Sequence, residues 1–492
     1  MSTRVPGAVA RPKSVEEVTT LVRGAARDGV QVAIRGGGHS QGGQTLTDDG
    51  VVLDTMYLDR VEVLGGDLVR AQGGAQWGKV VDSLRGTRRL PRVLVDTAEV
   101  TVGGTLSAGG LGTTSHRYGM QIGQIEQLEV VTGTGERVRC SRTRNGELFD
   151  AVRGGQGQFG VITEAWIRLR KSGERLRQYE IRYRDYDRFA SDFERIIDEG
   201  RFDRLRAETR VHGEEIIMSA GVEYDGDHDD GKALEGLGYD KVVSSRDTTQ
   251  VGHAGMYLRW LFSQKHYYPW RDWFMPWETL RTVLVQPWLD RDWVPPSPAS
   301  WIGIYPIQTE AIDAPLFMHP NGERMFSYHV LAVLNKYERA NELAGRLKEM
   351  TGTLVGLGGK SYLSGGVGYG RKEWREHYGE KLETGLRWKK EFDPKQVFRG
   401  EGMPFGNSMA ASDCPRPPQP EGRPAPASAV GVPRSTASTR GGRSSMSAIS
   451  ANAMIIAVSS PTWAVGMNGD STRIRNPATS TTVVVDMARP AV

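Results

Sequence analysis

The sequence predicts an α+β protein of two domains followed by a disordered tail. Three observations carry that expectation. Strand-rich and helix-rich stretches mix without regular βαβ alternation, which argues against a doubly wound parallel sheet. The texture changes near Lys171, where aromatic clusters and longer gaps replace closely spaced glycines. From Asn407 onward proline, serine, alanine and threonine dominate, as in PRPPQPEGRPAPASAVGVPRSTASTRGG. Such a composition buries too little apolar surface to offset the cost of ordering the chain.

Composition narrows the function classes. The chain has 492 residues, 61 of them glycine, and a formal charge of +4. Residues 407–492 hold eight Arg, no Lys and four acids, so totals of 63 basic and 59 acidic residues leave 55 of each in residues 1–406. A neutral body argues against nucleic acid or an anionic membrane as the main partner. No run of 18 or more apolar residues occurs, so no membrane span is expected. The opening MSTRVPGAVARPKS has no hydrophobic signal core, which predicts a cytoplasmic chain. Cys140 and Cys414 are too few for a disulfide framework. Asp225–Gly231 has its glycine one position late for a calcium loop, and the histidines lack paired ligand spacing, so no metal is predicted.

The elements follow in order. Ser14-Val-Glu-Glu17 is a capping box that opens an amphipathic helix to about Arg27. Short β-rich runs follow at 30–35, 51–54, 61–64 and 68–72. Gln127–Thr132 and Arg137–Cys140 flank Gly133-Thr-Gly135 as a hairpin, and Val161–Leu169 alternates as a strand with one covered face. Beyond Lys171, clusters such as His266-Tyr-Tyr-Pro-Trp270 and Trp288 suggest a second domain that builds a largely apolar pocket. The last globular piece, 374–405, is helical and ends at Phe392-Asp-Pro-Lys395. The predicted division is 1–172, 173–370, a returning piece 371–406, and the tail 407–492.

Three glycine-rich loops carry the chemistry. Arg35-Gly36-Gly37-Gly38-His39-Ser40 follows a short apolar strand, and its glycines let backbone N–H groups turn toward an anion such as a pyrophosphate. It is neither the G-x-G-x-x-G of a Rossmann unit nor a Walker loop. Thr101–Gly110 is the second loop, and Phe149–Gly160, containing Gly157, is the third and runs into Val161-Ile-Thr163. Several such loops within about 125 residues suggest one extended ligand lying along the backbone.

With these segments in order, the chain resembles the flavoproteins of the vanillyl-alcohol oxidase and p-cresol methylhydroxylase superfamily, and within it the cytokinin dehydrogenases. The markers are Gly38-His39-Ser40, Thr101–Ser107, Val131-Thr-Gly-Thr-Gly135 and Leu148–Thr163. Tyr268-Pro-Trp270, Tyr305-Pro306, Lys360-Ser-Tyr362-Leu and Phe392-Asp-Pro-Lys395 extend them. The resemblance implies a split, PCMH-type FAD-binding domain, an α+β substrate domain, and FAD as cofactor. It implies that the first and third loops wrap the pyrophosphate and adenine side, and that His39 tethers the flavin covalently. Ser40, Gln44, Thr101, Gly104, Ser107, Gly160, Val161, Ile162 and Tyr362 match cofactor positions. Asp96 matches the group that accepts the substrate amine proton while hydride leaves for flavin N5, with Glu99 as local competitor. A second, cysteinyl flavin bond is not expected, because Glu99 stands where that cysteine would fall.

The implied reaction oxidises an N6-substituted adenine side chain to adenine and an aldehyde, with oxygen or a quinone as electron acceptor. Departures bear on the substrate. The family's usual Ser-Pro-Gly-Gln continuation is Arg399-Gly-Glu-Gly402 here, and Gln308 and Ile312 replace its Asn and Trp. An alcohol, a sugar or a secondary metabolite is therefore the alternative substrate.

Overall fold

A computed structural model describes residues 3–210, 214–249, 251–253, 267–285, 300–400, 403–405, 454–459, 463–464 and 481–486. Three main sheets hold these residues together. The first strands, Ala8–Ala10, Val32–Arg35 and Val51–Asp54, pair in parallel, with Val51 opposite both Ala8 and Val32. The helix Val15–Asp28 crosses between the first two. Its start follows the expected cap: Ser14 Oγ accepts the Glu17 N–H at 3.2 Å. The Glu17 carboxylate reaches back to the Lys13 N–H at 2.6 Å, one residue earlier than the usual reciprocal bond. Gly29, at φ +69°, ends the helix in the left-handed region.

The second sheet is antiparallel and centred on Gly160–Lys171, which lies between Leu68–Gln72 and Ile125–Thr132. The hairpin from Ile125–Thr132 to Arg137–Ser141 forms as expected around Gly135, which has φ +75°. The third sheet has eight strands, built from Lys241–Thr248, Arg175–Tyr183, Ile216–Tyr224, Arg204–Arg210, Trp301–Gln308, Arg324–Leu331, Trp270–Met275 and Lys360–Ser361 in spatial order. Its strand pairs are all antiparallel. Strand alternation sorts its central residues by face. Ile302, Ile304, Phe326, Tyr328, Val330, Trp273 and Met275 enter one apolar core with the helices Tyr186–Glu199, Trp277–Val285 and Tyr337–Gly356. The opposite face carries polar and aromatic residues into a cleft.

One expectation needs correction, and one element gains detail. The second glycine segment is not a loop over most of its length: Val102–Ala108 is a short helix capped by Thr101, whose Oγ1 accepts the Gly104 N–H at 3.3 Å. Two glycines are tolerated in it because Gly103 packs directly against the Gly73 carbonyl, where an added Cβ would approach to 3.0 Å. The C-terminal piece is two helices, Arg371–Tyr378 and Lys381–Phe392, separated at Gly379 with φ +51°.

That piece returns to the first sheet. The Val32 N–H donates to Val397 O at 2.8 Å. The buried Lys389 ammonium donates to Gln158 O, Phe398 O and Asp393 Oδ2 at 2.6, 2.7 and 2.6 Å. One cation thus joins the last helix to the third glycine segment. Phe405 is fully buried against Phe159 and Tyr378, where the sequence places the end of the globular body. In the tail, Met454–Ser459, Trp463–Ala464 and Thr481–Asp486 are strands, and the last pairs in parallel with Ala8–Ala10. β-branched runs such as Val483–Val485 supply the strand that pairs with Ala8–Ala10. The rest of the tail, with Cys414, lies outside the described residues, as do His266 and Trp288. No helix among the described residues is long and apolar enough to cross a membrane.

Candidate active site

The cleft runs between two walls, and one wall is glycine backbone. Val32–Arg35 ends in the turn Gly36–Gly38, which lies against the Thr101 segment. A Cβ on Gly36 would sit 2.0 Å from Thr101 Oγ1, and one on Gly37 would sit 2.7 Å from Glu99 O. Gly38 adds φ +72°, which side-chain-bearing residues rarely adopt. The third segment docks on the second: Gly154 N–H donates to Leu106 O and Gln156 N–H to Ser107 O, both at 2.9 Å. All three glycine segments therefore meet along one line, as the sequence suggests.

Of the residues singled out in the sequence, Gly36, Gly37, Gly38, His39, Ser40, Gln44, Asp96, Thr101, Gly104, Ser107, Gly157, Gly160, Ile162 and Tyr362 line this cleft. Two do not. Val161 alternates to the other face of its strand and packs among Val15, Val18 and Val131. Arg35 turns its guanidinium back over Gly38, where a Cβ would meet its Nε at 2.8 Å. Gln44 Nε2 donates to Leu363 O at 2.9 Å, and the Tyr362 hydroxyl accepts the Gly110 N–H at 3.0 Å. His39 Nδ1 is buried with no hydrogen-bond partner among the described residues. Burial lowers the pKa of its imidazole, opposed by the Glu99 charge.

The other wall is the polar face of the eight-stranded sheet. It presents Trp270, Asp272, Trp301, Tyr305 and His329, with Ser364 beside them. Asp96 stands between the walls. It accepts a hydrogen bond from the Tyr305 hydroxyl and lies 3.6 Å from Arg206 Nη1. Arg206 Nη1 also donates to the Tyr305 oxygen at 3.3 Å, and Nη2 pairs with Glu208 at 2.9 Å. Burial raises the Asp96 carboxyl above the usual carboxylate range, while Arg206 and Tyr305 pull it back. Burial and the Asp96 charge push the Tyr305 phenol well up, so it stays a donor. A base with raised proton affinity, held by one phenol and one guanidinium, is suited to take a proton from a bound ligand.

Arg206, Asp272, His329 and Trp301 are functional candidates that motif reading misses. Their signal is strand alternation: Asp272 lies between Arg271 and the core residue Trp273, and His329 between the core residues Tyr328 and Val330. Arg399 and Gly400 line the cleft; Glu401 and Gly402 lie outside the described residues. Gln308 turns to Glu310 at 2.9 Å near the surface, and Ile312 is partly buried against the core. Among the described residues no group of three or more His, Cys, Asp or Glu could hold a metal ion. Cys140 is buried, and its thiol is pushed up to about 12 by burial, as expected of a core residue.

The donor set fits a long dinucleotide. Three close-packed glycine segments leave room only for a ligand that approaches backbone, and the unpaired His39 Nδ1 points to a missing partner. Comparison with known proteins agrees. Residues 6–141 match the FAD binding domain family. An oxidoreductase of the fasciation locus of Rhodococcoides fascians, itself uncharacterized, is 31% identical over 407 residues, which cover 80% of this chain and 92% of that one. Cytokinin dehydrogenase 7 of Oryza sativa subsp. japonica is 39% identical over 219 residues, but this stretch spans only 42% of each chain. Among solved structures, the glucooligosaccharide oxidase of Acremonium strictum, with 6-S-cysteinyl, 8α-N1-histidyl FAD, superposes with a TM-score of 0.65 at 20% identity, covering 81% of this chain and 91% of that one. Fold, glycine cleft and relatives converge: the chain belongs to the FAD-linked oxidoreductases of the vanillyl-alcohol oxidase and p-cresol methylhydroxylase superfamily, with its sequence likeness directed toward the cytokinin dehydrogenases.

Proposed function

We propose that this FAD-dependent oxidoreductase oxidises a C–H bond next to an amine, with Asp96 taking the amine proton and His39 tethering the cofactor. The observation that carries this reading is the single cleft that begins at His39 and ends at the Asp96, Tyr305 and Arg206 cluster. Bound FAD supplies a two-electron acceptor for the hydride. Gly36, Gly37, Gly38 and Gly157 offer backbone to its pyrophosphate side. Thr101, Gly104, Ser107, Ile162 and Tyr362 line its remaining length. His39, buried and with no hydrogen-bond partner at Nδ1 among the described residues, is the residue that would hold the flavin through its 8α-methyl carbon. The histidyl linkage of the glucooligosaccharide oxidase supports that assignment. In this reading 1–172 and 371–406 hold the cofactor and 173–370 faces the substrate.

Asp96 binds the substrate N–H and accepts its proton as hydride leaves the neighbouring carbon. Tyr305 and Arg206 both engage Asp96 Oδ2, and the Arg206 charge favours the ionised carboxyl. The cytokinin dehydrogenase stretch supports an N6-substituted adenine as substrate, released as adenine and an aldehyde after hydrolysis of the imine. Oxygen or a quinone serves as the final electron acceptor. Arg399 and Gly400 support the second reading, oxidation of an alcohol, sugar or secondary metabolite, because they line the cleft where the family pattern differs.

An anaerobic screen of the purified protein separates the two. Bleaching of the flavin by isopentenyladenine supports the amine reading, and bleaching by polyols or phenols alone transfers the site to the second. A protein that stays colourless after FAD is added contradicts both. For His39, yellow fluorescence should remain on the denatured band and disappear in His39→Ala. Wild-type flavin that washes off in acid removes the tether.

A further inference from the structure

The charged residues of the cleft are not all accounted for by one another. Among the described residues its lining holds two acids, Asp96 and Asp272, and one Lys or Arg, which is Arg399. Both acids have partners. Asp96 engages Tyr305 and Arg206. Asp272 accepts the Trp270 indole N–H and the Ser364 hydroxyl, the latter at 2.7 Å, and its Oδ1 lies 2.7 Å from His329 Nδ1. Arg399 is half-buried and makes no hydrogen bond or ion pair with a described residue. A guanidinium has five N–H donors and no acceptor, so one that lines a cleft without a protein partner is suited to an anion.

Backbone pairing places Arg399 beside the first glycine turn. Phe398 bridges Val32 in parallel, next to the bond from the Val32 N–H to Val397 O. The chain at Phe398 therefore runs in the same direction as Val32–Arg35, and Arg399 and Gly400 follow it toward Gly36–Gly38. Beyond the turn, a Cβ on Gly400 would lie 3.3 Å from Gln44 Cα. Arg399 is thus flanked by the strand that enters the turn and by the segment that leaves it. The acid behind it is already committed. Asp393 pairs with Lys389 at 2.6 Å and accepts the Val397 and Phe398 N–H groups at 2.8 and 2.9 Å. Burial lowers the proton affinity of Lys389, Asp393 raises it, and the positive charge of Arg399 lowers it again. This end of the cleft carries a surplus of positive charge.

We propose that Arg399 binds the pyrophosphate of the cofactor and supplies the countercharge that the glycine turn lacks. The proposal rests on the reading of this cleft as the FAD site. Backbone N–H groups at Gly36–Gly38 offer an anion partial charges but no net charge. A pyrophosphate diester carries two negative charges, and taking them out of water is costly without a cation beside them. A guanidinium meets phosphate oxygens with two parallel N–H donors, which a lone ammonium cannot do. The isoalloxazine ring of oxidised FAD is neutral, so the pyrophosphate is the anion that the cofactor brings. Arg399, which replaces the family's serine, thereby gives this chain an ion pair to its cofactor.

The test titrates the full-length apoprotein with FAD, read by flavin fluorescence, in a His39→Ala background that removes any bond through that residue. Arg399→Gln is expected to weaken FAD binding by roughly tenfold or more at low salt. Arg399→Lys keeps the charge without the fork and should recover part of the loss. Raising salt to about 1 M should narrow the gap between Arg399→Gln and its background, because salt screens the charge. If His39→Ala takes up no FAD, the same series is read as the rate of FAD uptake with His39 intact. Equal FAD binding in Arg399→Gln overturns the proposal. So does a loss that neither Arg399→Lys nor salt reduces, since packing then explains it. Unchanged FAD binding with a changed set of bleaching substrates moves Arg399 to the substrate side and also overturns it. A protein that takes up no FAD in either form contradicts the FAD reading itself, whereas uptake indifferent to Arg399 contradicts the proposal alone.

Discussion

The glycine wall of the cleft offers a ligand backbone, whereas the sheet wall offers it side chains. The first is assembled from segments within about 125 residues, locked together by contacts such as Gly36 on Thr101. The second takes Arg206, Trp270, Tyr305 and His329 from strands far apart in sequence and brings them together through antiparallel register. The difference suggests a division of labour: the backbone wall fits a constant cofactor, and the side-chain wall carries the chemistry and the choice of substrate.

The most severe way to break the glycine wall is Gly36→Val. Its Cβ would meet Thr101 Oγ1, the atom that caps the helix starting at Val102, at 2.0 Å. The variant is expected to purify with little or no flavin, read from its visible absorbance. Gly352→Ala, in a helix with nothing within 4 Å, should keep wild-type flavin content. The corresponding break in the sheet wall is Tyr305→Phe. It removes the hydroxyl that holds Asp96, and flavin reduction should slow by roughly tenfold with FAD content unchanged.

The two walls also separate in legibility. The glycine segments and His39 are readable because they are local: each close approach demands glycine within a short stretch. The capping box, the hairpin and the strands up to Lys171 are readable for the same reason. Asp96 is legible only through resemblance, since a lone loop aspartate carries no pattern. Arg206, Asp272 and His329 acquire meaning only once register places them on one face. The short helix at Val102–Ala108 escapes reading because glycine has weak helix propensity, and packing against Gly73 overrides it.

Burial raises the Asp96 carboxyl, and the ionised form is the base, so flavin reduction should rise with pH along a limb above the usual carboxylate value of about 4. Arg206→Met removes the charge that pulls the carboxyl down, and the limb should move to higher pH. Stopped-flow reduction across pH reads both.

The smallest effect on chemistry is expected at the brace behind the glycine wall. Lys389→Met leaves two carbonyls without their donor and Asp393 without its cation, at a cost of about 3 kcal/mol. Thermal unfolding should begin at a lower temperature, while the reduction rate of the folded enzyme stays near wild type.

In the proposed reaction Asp96 takes a proton from a substrate held against flavin bound along the glycine wall. Anaerobic single-turnover bleaching of the flavin by isopentenyladenine, in wild type and Asp96→Asn, tests it most directly. Wild type should bleach, and the rate constant should be lower by roughly 10²- to 10⁴-fold in Asp96→Asn, with the same amount of bound FAD. Near-normal bleaching in Asp96→Asn would contradict it.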